Sequence, residues 1–221
     1  VVEIPATVGG GTVTTVTGEG FKGNDAPTVI VPQAVAENDA STGLDNTSSV
    51  LTYTETTNTD TGEKEVTITG FSGSADVVEI PATVGGNTVT TVTGDDFKGE
   101  NAPTVIVPQT VADNSTSALD NTSNVLTYTE TTNTDTGEKE VTITGYKGDD
   151  KVVEIPATVG GNTVTTVTGE DFKGNDAPTV IVPQAVADNS TSALDNTSNV
   201  LTYTETTNTD TGEKEVTITG Y

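Results

Sequence analysis

The side chains of this sequence that can do chemistry are carboxylates, amides, hydroxyls and a few lysine amines. Their densest group is Glu205, Asp210, Glu213 and Glu215. Paired carboxylates carry out glycoside hydrolysis, one as acid and the other as base or nucleophile. That chemistry needs a cleft and one carboxyl with a raised pKa. These four fall on or beside the tip of an expected hairpin, and the set recurs as Glu55, Asp60, Glu63 and Glu65. A solvated acidic face, repeated with a structural unit, is the expectation, and no catalytic residue is assigned. The stretch Asn208-Thr-Asp210-Thr-Gly212-Glu213 also offers hard oxygen ligands at loop spacing, the kind calcium takes. It departs from an EF-hand loop: its Gly comes one place late, and no bidentate Glu stands at the twelfth position. Calcium stays an open reading, with no metal ligand and no cofactor assigned.

Amides and hydroxyls raise two other chemistries. Each unit has one Gln (Gln33, Gln109, Gln184) among many Thr and a few Lys. These are the residue types of the ester and isopeptide bonds that crosslink bacterial surface fibres. No motif fixes a partner, so Gln184 is expected to be a turn residue after Pro183. Asn-x-Ser/Thr sequons stand at Asn46, Asn114, Asn121, Asn189 and Asn196, where glycans are attached if the source has the machinery. Gly9-Gly10-Gly11 lacks the Lys of a phosphate-binding loop and reads as a turn.

Composition excludes more than it admits. The 221 residues include no Cys, Met, Trp or His, and all eight basic residues are Lys. A Ser-His-Asp triad, a thiol nucleophile, a disulfide and an ordinary zinc site are therefore ruled out. Against the lysines stand 33 Asp and Glu, a net charge of −25. Binding to a phosphate backbone needs Lys and Arg to displace counterions, so nucleic acid is not an expected partner. An apolar fraction of 31% with this charge warns of disorder. The apolar residues are mostly Val and Ile in short alternating runs, however, and Thr and Val favour strands. An ordered, thinly cored β protein follows. No run of 18 apolar residues is present, so no membrane insertion is expected. The chain opens on Val1 inside a recurring motif with no signal peptide, as expected of a processed product or an excerpt.

Those elements belong to a repeat. VVEIPATVGG begins at Val1, Val77 and Val152, with a period of 76 and then 75 residues. LTYTETTNTDTGEKEVTITG begins at Leu51, Leu126 and Leu201. Val77–Tyr146 and Val152–Tyr221 differ at four of 70 positions. The expected units are 1–76, 77–151 and 152–221, each with a similar acidic surplus. Each also holds an internal echo: Ile155-Pro156-x-x-Val159 is matched 27 residues later by Val182-Pro183-x-x-Val186. Two alternating apolar residues make a short strand with one buried face, Pro ends it, and the later Val tucks under the turn. Two such strands per unit fit stacked solenoid coils.

Between the echoes, Val164, Val167 and Phe172 are spaced unlike a strand, and Phe172 is the expected core plug. Glu170 and Asp171 are expected to cap a helical turn there. Leu201–Thr206 and Glu213–Gly220 alternate with period two, so a hairpin is expected with Leu201, Tyr203, Val216 and Ile218 buried. Thr204, Thr206, Thr217 and Thr219 should form its wet face. Asp188–Asn199 reads as a polar loop with one helical turn near Ala193-Leu194.

The order VEIPATVGGNTVTTVTGEDFKGN, then APTVIVPQAV, resembles the leucine-rich repeats of BspA-type bacterial surface proteins. Ile155-Pro156, Val159, Val164, Val167, Gly169 and Phe172 fill that pattern, and the hairpin resembles the one that introduces such repeats. Asp171 and Ala177 stand where the family has Ala and Leu. The resemblance implies an extracellular repeat protein that binds partners or builds a surface layer. The expected fold is all-β: a tandem-repeat protein with leucine-rich-repeat-like coils and a hairpin in each unit, or else a string of small β-sandwich modules. The expected function is a structural and adhesive segment of an extracellular surface fibre, stalk or filament. It would self-associate head to tail and would not be an enzyme. The alternative is a module of a secreted bacterial protein that binds a host protein or a glycan.

Overall fold

The computed structural model describes residues 1–221 except 24, 25, 39, 100, 175, 196–198, 210 and 221. The fold is all-β, with 44% strand and 10% helix. The helices among the described residues are four to six residues long, too short to form a layer. The chain divides into two compact units, Val1–Asn124 and Val125–Tyr221.

In Val1–Asn124 the strands are β1 (Val2–Glu3), β2 (Thr7–Val8), β3 (Gly11–Thr12), β4 (Val29–Pro32), β5 (Val50–Thr57), β6 (Lys64–Ser72), β7 (Val77–Glu79), β8 (Thr83–Val84), β9 (Asn87–Val92) and β10 (Thr104–Pro108). Helix α1 (Gln33–Ala36) follows β4, and α2 (Gln109–Asn114) follows β10. One sheet runs β1-β4-β5-β6-β9-β8. Pairing is parallel for β1 with β4, β4 with β5 and β6 with β9. It is antiparallel in the β5–β6 and β8–β9 hairpins. Val29, Ile30 and Val31 are all buried. The expectation of one buried face per strand falls short here, because strands in parallel pairs are covered on both faces. Pro32 and Pro108 close their strands as expected and then stand as N-caps of α1 and α2. Val35 and Val111, three residues after each Pro, are buried.

In Val125–Tyr221 the strands are β11 (Val125–Thr132), β12 (Lys139–Lys147), β13 (Val152–Glu154), β14 (Thr158–Val159), β15 (Asn162–Val167), β16 (Thr179–Pro183), β17 (Asn199–Thr207) and β18 (Lys214–Gly220), with α3 (Gln184–Asn189) after β16. Strand β12 pairs antiparallel with β11 and parallel with β15. A second sheet runs β13-β16-β17-β18. The helical turn expected at Ala193-Leu194 is displaced: the helix is Gln184–Asn189, because Pro183 presets its start. Ala193 and Leu194 lie in a turn whose amides donate to Ser190 O.

The stretch around Val164 and Val167 is strand β15, correcting the irregular reading. Against β12, Val141 faces Val164 but Thr142 faces Thr166, so Thr165 is an extra residue. That bulge converts a spacing of three into one face, and both valines are buried. The β6–β9 pair repeats this with Thr90 as the extra residue, and Val89 and Val92 are buried. The expected cap at Glu170 and Asp171 is also corrected. The 3-10 turn Glu170–Phe172 begins on Gly169 without a side-chain cap. Asp171 Oδ2 instead accepts from Tyr146 N at 3.2 Å, and Asp96 Oδ2 accepts from Phe71 N at 3.2 Å. These carboxylates tie a coil to the hairpin before it. Phe97 and Phe172 are fully buried plugs, as expected of Phe172.

Candidate functional site

The carboxylates at the hairpin tips do not converge. In the first tip, Asn58 N donates to Glu63 O and Gly62 N to Asn58 O, both at 2.8 Å. Gly62 takes φ 76°, which only Gly adopts at little cost. Asn58 Oδ1, the counterpart of Asn208 in the stretch read as offering calcium ligands, accepts from Asp60 N and Thr61 N at 2.9 and 3.1 Å. Its Nδ2 donates to Glu65 Oε1 at 2.7 Å. Glu55 is held by Lys64 at 2.8 Å and by Asn87 Nδ2 at 3.2 Å. In the last tip, Asn208 Nδ2 donates to Glu215 and Lys214 to Glu205, at 2.8 and 3.1 Å, and Glu213 is exposed. Asp210 lies outside the described residues. The oxygens proposed for calcium or catalysis thus close loops and pair with Lys. Among the described residues no group of three acidic side chains is placed to hold a metal.

The other candidates fall on the surface. Gln33, Gln109 and Gln184 each open a helix, and each donates to the acidic residue four positions on, at 2.7–2.9 Å. Thr219 Oγ1 donates to Gln184 Oε1 at 2.9 Å, which contacts the amide oxygen and not the carbon an ester bond would join. Asn46 and Asn121 are exposed. Asn114 and Asn189 spend their amides on Thr90 O and Thr165 O, at 3.3 and 3.4 Å. Asn196 lies outside the described residues. Gly9 and Gly10 form a turn with positive φ, as expected. A cavity of about 440 Å³ lies beside Asp149, Asp150, Lys151 and Asp176 and is predominantly polar.

Tyr53 and Tyr203 were expected in the core and are there. Each hydroxyl donates to a coil carbonyl, Ile4 O at 3.1 Å and Ile155 O at 3.3 Å. Burial first, then the charge of Glu55, pushes Tyr53 up to about 12. Burial and then Glu205 do the same for Tyr203, also to about 12. An unfolded tyrosine loses its proton near about pH 10. The folded state therefore holds these protons more tightly. That stabilisation is complete below about pH 10 and is lost as pH rises through about 12. Urea midpoints should be flat to about pH 9 and then fall steeply toward about pH 12. Difference absorbance against Tyr53→Phe and Tyr203→Phe that assigns phenolate near pH 10 to either residue, with the protein still folded, would contradict this.

The arrangement that sets one element apart is the last hairpin. Val66, Ile68, Val141 and Ile143 are 0% exposed, on strands β6 and β12 that are flanked in their sheets by β9 and β15. Their equivalents Val216 and Ile218, expected to be buried, are 58% and 57% exposed. The physical reason is the sheet order. Strand β18 has β17 on one side and, among the described residues, no strand on the other. No family model, curated protein or solved structure matches this chain.

No helix among the described residues is long and apolar enough to cross a membrane. Sequence reasoning missed the exposure of Val216 and Ile218 because Leu201–Gly220 is identical to the two earlier hairpins, and only its neighbours differ. It also missed three buried serines. Ser41, Ser115 and Ser190 each accept from a coil amide, Val16 N, Val92 N and Val167 N, at 3.1, 2.7 and 2.7 Å. Each also donates to a helix carbonyl. The available signal was a Ser after every PQ-x-V-A helix, seven residues past the Pro in the last two and nine past it in the first.

Proposed function

We propose that this chain is an extracellular structural and adhesive repeat protein, a segment of a surface fibre, stalk or self-assembling filament, and not an enzyme. The single observation that carries the reading is the matching pair of joints β6–β9 and β12–β15. In both, a hairpin strand takes the next coil strand in parallel, with the same bulge and equivalent partners. A joint that reads the same way twice is suited to continuation. We further read the fold as leucine-rich-repeat-like coils with a hairpin in each of the units 1–76, 77–151 and 152–221, of the BspA type. The parallel pairing within each coil supports this over small sandwiches, which are built from antiparallel sheets. A surface of Thr and carboxylates at net charge −25 favours solubility and discourages non-specific contacts.

The alternative of a glycan-binding module is less well supported. Tyr53, Tyr128, Tyr146, Tyr203, Phe97 and Phe172 are buried, while glycan sites expose aromatic faces. The test of the fibre reading is immunogold labelling of intact, unpermeabilised source cells. Label along surface fibres or a surface layer is expected. Label confined to the cell interior would overturn the reading.

A further inference from the structure

We propose that Lys64 and Asn87, and equally Lys139 and Asn162, join through an isopeptide bond, with Glu55 and Glu130 as the proton relays. The chain has no Cys, so this bond takes the place of a disulfide between a hairpin and the coil that follows it. The inference goes beyond the fibre reading and does not depend on it. Lys64 Nζ donates to Glu55 Oε2 at 2.8 Å, and Asn87 Nδ2 donates to Glu55 Oε1 at 3.2 Å. In the second site Lys139 Nζ donates to Glu130 Oε2 at 2.8 Å and Asn162 Nδ2 to Glu130 Oε1 at 3.1 Å. An amine and a carboxamide thus rest on the two oxygens of one carboxylate, once in each compact unit.

Three strands bring these side chains together. Lys64 opens β6 and Asn87 opens β9. The residues after them, Glu65 and Thr88, are partners in the parallel pair. Lys64 and Asn87 therefore start neighbouring strands, about 5 Å apart. Glu55 lies opposite Val66 on β5, at the other side of β6. The turn Gly85-Gly86, with φ of 58° and 81°, fixes where Asn87 begins its strand. Lys139, Asn162 and Glu130 repeat the placement. These ion pairs differ in kind from Lys22–Glu19, Lys98–Asp95 and Lys173–Glu170. There the carboxylates are 81–92% exposed, whereas the side chains of Glu55 and Glu130 are 19% and 17% exposed. A shielded carboxylate that touches both an amine and an amide is placed to move protons between them.

The step is aminolysis of the Asn side chain. Glu55 takes a proton from Lys64 Nζ, and the freed electron pair attacks Asn87 Cγ. The Nζ–Cγ bond forms and the carbonyl electrons move onto Oδ1. When they return, the Cγ–Nδ2 bond breaks. The two protons that Nζ gives up pass through Glu55 to Nδ2, which leaves as ammonium. Glu55 ends as it began, and no oxidant or other reactant is consumed. Holding both groups on one carboxylate makes the step intramolecular, which is the source of its rate. The Lys64 side chain is 54% exposed, so the amine can swing from the carboxylate to the amide carbon. The bond closes residues 64–87 into a ring and restricts the unfolded chain as a disulfide would, and reducing agents do not open it.

The experiment is intact-mass spectrometry of the 221-residue chain, fresh and after incubation at about pH 9, where more of a lysine amine is uncharged. Wild type is expected to fall below its sequence mass by two ammonias. Lys64→Arg should fall by one, Glu55→Gln by one, and Lys64→Arg/Lys139→Arg by none. Arg keeps the charge at exposed positions, so these variants fold. Proteolysis of wild type should release a branched peptide joining Lys64 to Asn87. Wild type at its full sequence mass after the incubation overturns the proposal. So does ammonia loss that persists in the double Arg variant, which marks a succinimide at Asn or an ester at Gln. Two ammonias lost from Glu55→Gln as fast as from wild type overturns the relay. Surface labelling of the source cells decides the fibre reading whatever the masses show.

Discussion

Phe172→Ala lowers the stability of Val125–Tyr221 by about 3–5 kcal/mol, the range for removing a fully buried aromatic ring. Phe172 is 0% exposed and its ring stacks on Tyr146 with centroids 6.4 Å apart. The turn that carries it is tied to the same hairpin strand through Asp171 and Tyr146 N. The cavity left by the substitution is walled by strands fixed in their ladders, so it cannot collapse. Phe21 is the internal comparison. It occupies the same place in the first coil but is only half-buried, at the rim of the cluster formed by Val16, Val29, Val31, Val35 and Val50. Phe21→Ala should cost about 1–2 kcal/mol, mostly lost burial. Because the chain holds two compact units, a single melting curve can merge their transitions. Hydrogen exchange at Val167 and Val92 reports each unit separately. Equal loss of protection from the two substitutions would show that the ring is not a plug.

What the sequence makes legible is whatever follows period two. The hairpin Leu51–Gly70 and the Pro-ended strands at Ile30–Pro32 and Ile106–Pro108 could be placed because apolar and polar residues alternate or Pro marks the stop. Strand β15 could not, because the extra Thr165 turns a spacing of two into three, and a bulge leaves no local signature in a Thr-rich stretch. Helix α3 reads as a turn in the sequence because its start, Pro183-Gln184, is also turn chemistry and its six residues barely exceed one turn. Asp171 has the residue type of a helix cap, but its carboxylate reaches a strand 25 residues earlier. The exposure of Val216 was illegible for a deeper reason. Val66, Val141 and Val216 share one local sequence, and burial separates them only through the strand that comes after.

Ser115→Ala is expected to destabilise Val1–Asn124 by about 2–3 kcal/mol although it deletes a single oxygen. Strand β9 runs parallel to β6, and its Val92 N–H points away from that ladder, into the interior. Ser115 Oγ accepts it at 2.7 Å and passes its own proton to Val111 O in α2, at 2.5 Å. One buried hydroxyl thus satisfies a strand donor and a helix acceptor that have no water to turn to. Alanine leaves the amide desolvated and unpaired, and that penalty exceeds the modest net value of the bond itself. Ser41 makes the same bridge in the first coil, but its bond from Val16 N is 3.1 Å. Val16 also lies in the coil whose strand is cut short, so Ser41→Ala should cost less. Asn114→Ala removes only an exposed amide 3.3 Å from Thr90 O and should cost under about 1 kcal/mol. Urea denaturation of the three variants, read beside exchange at Val92, ranks them. If Ser115→Ala proves as mild as Asn114→Ala, the serine bridge does not hold helix to strand, and the coil is held by apolar packing alone.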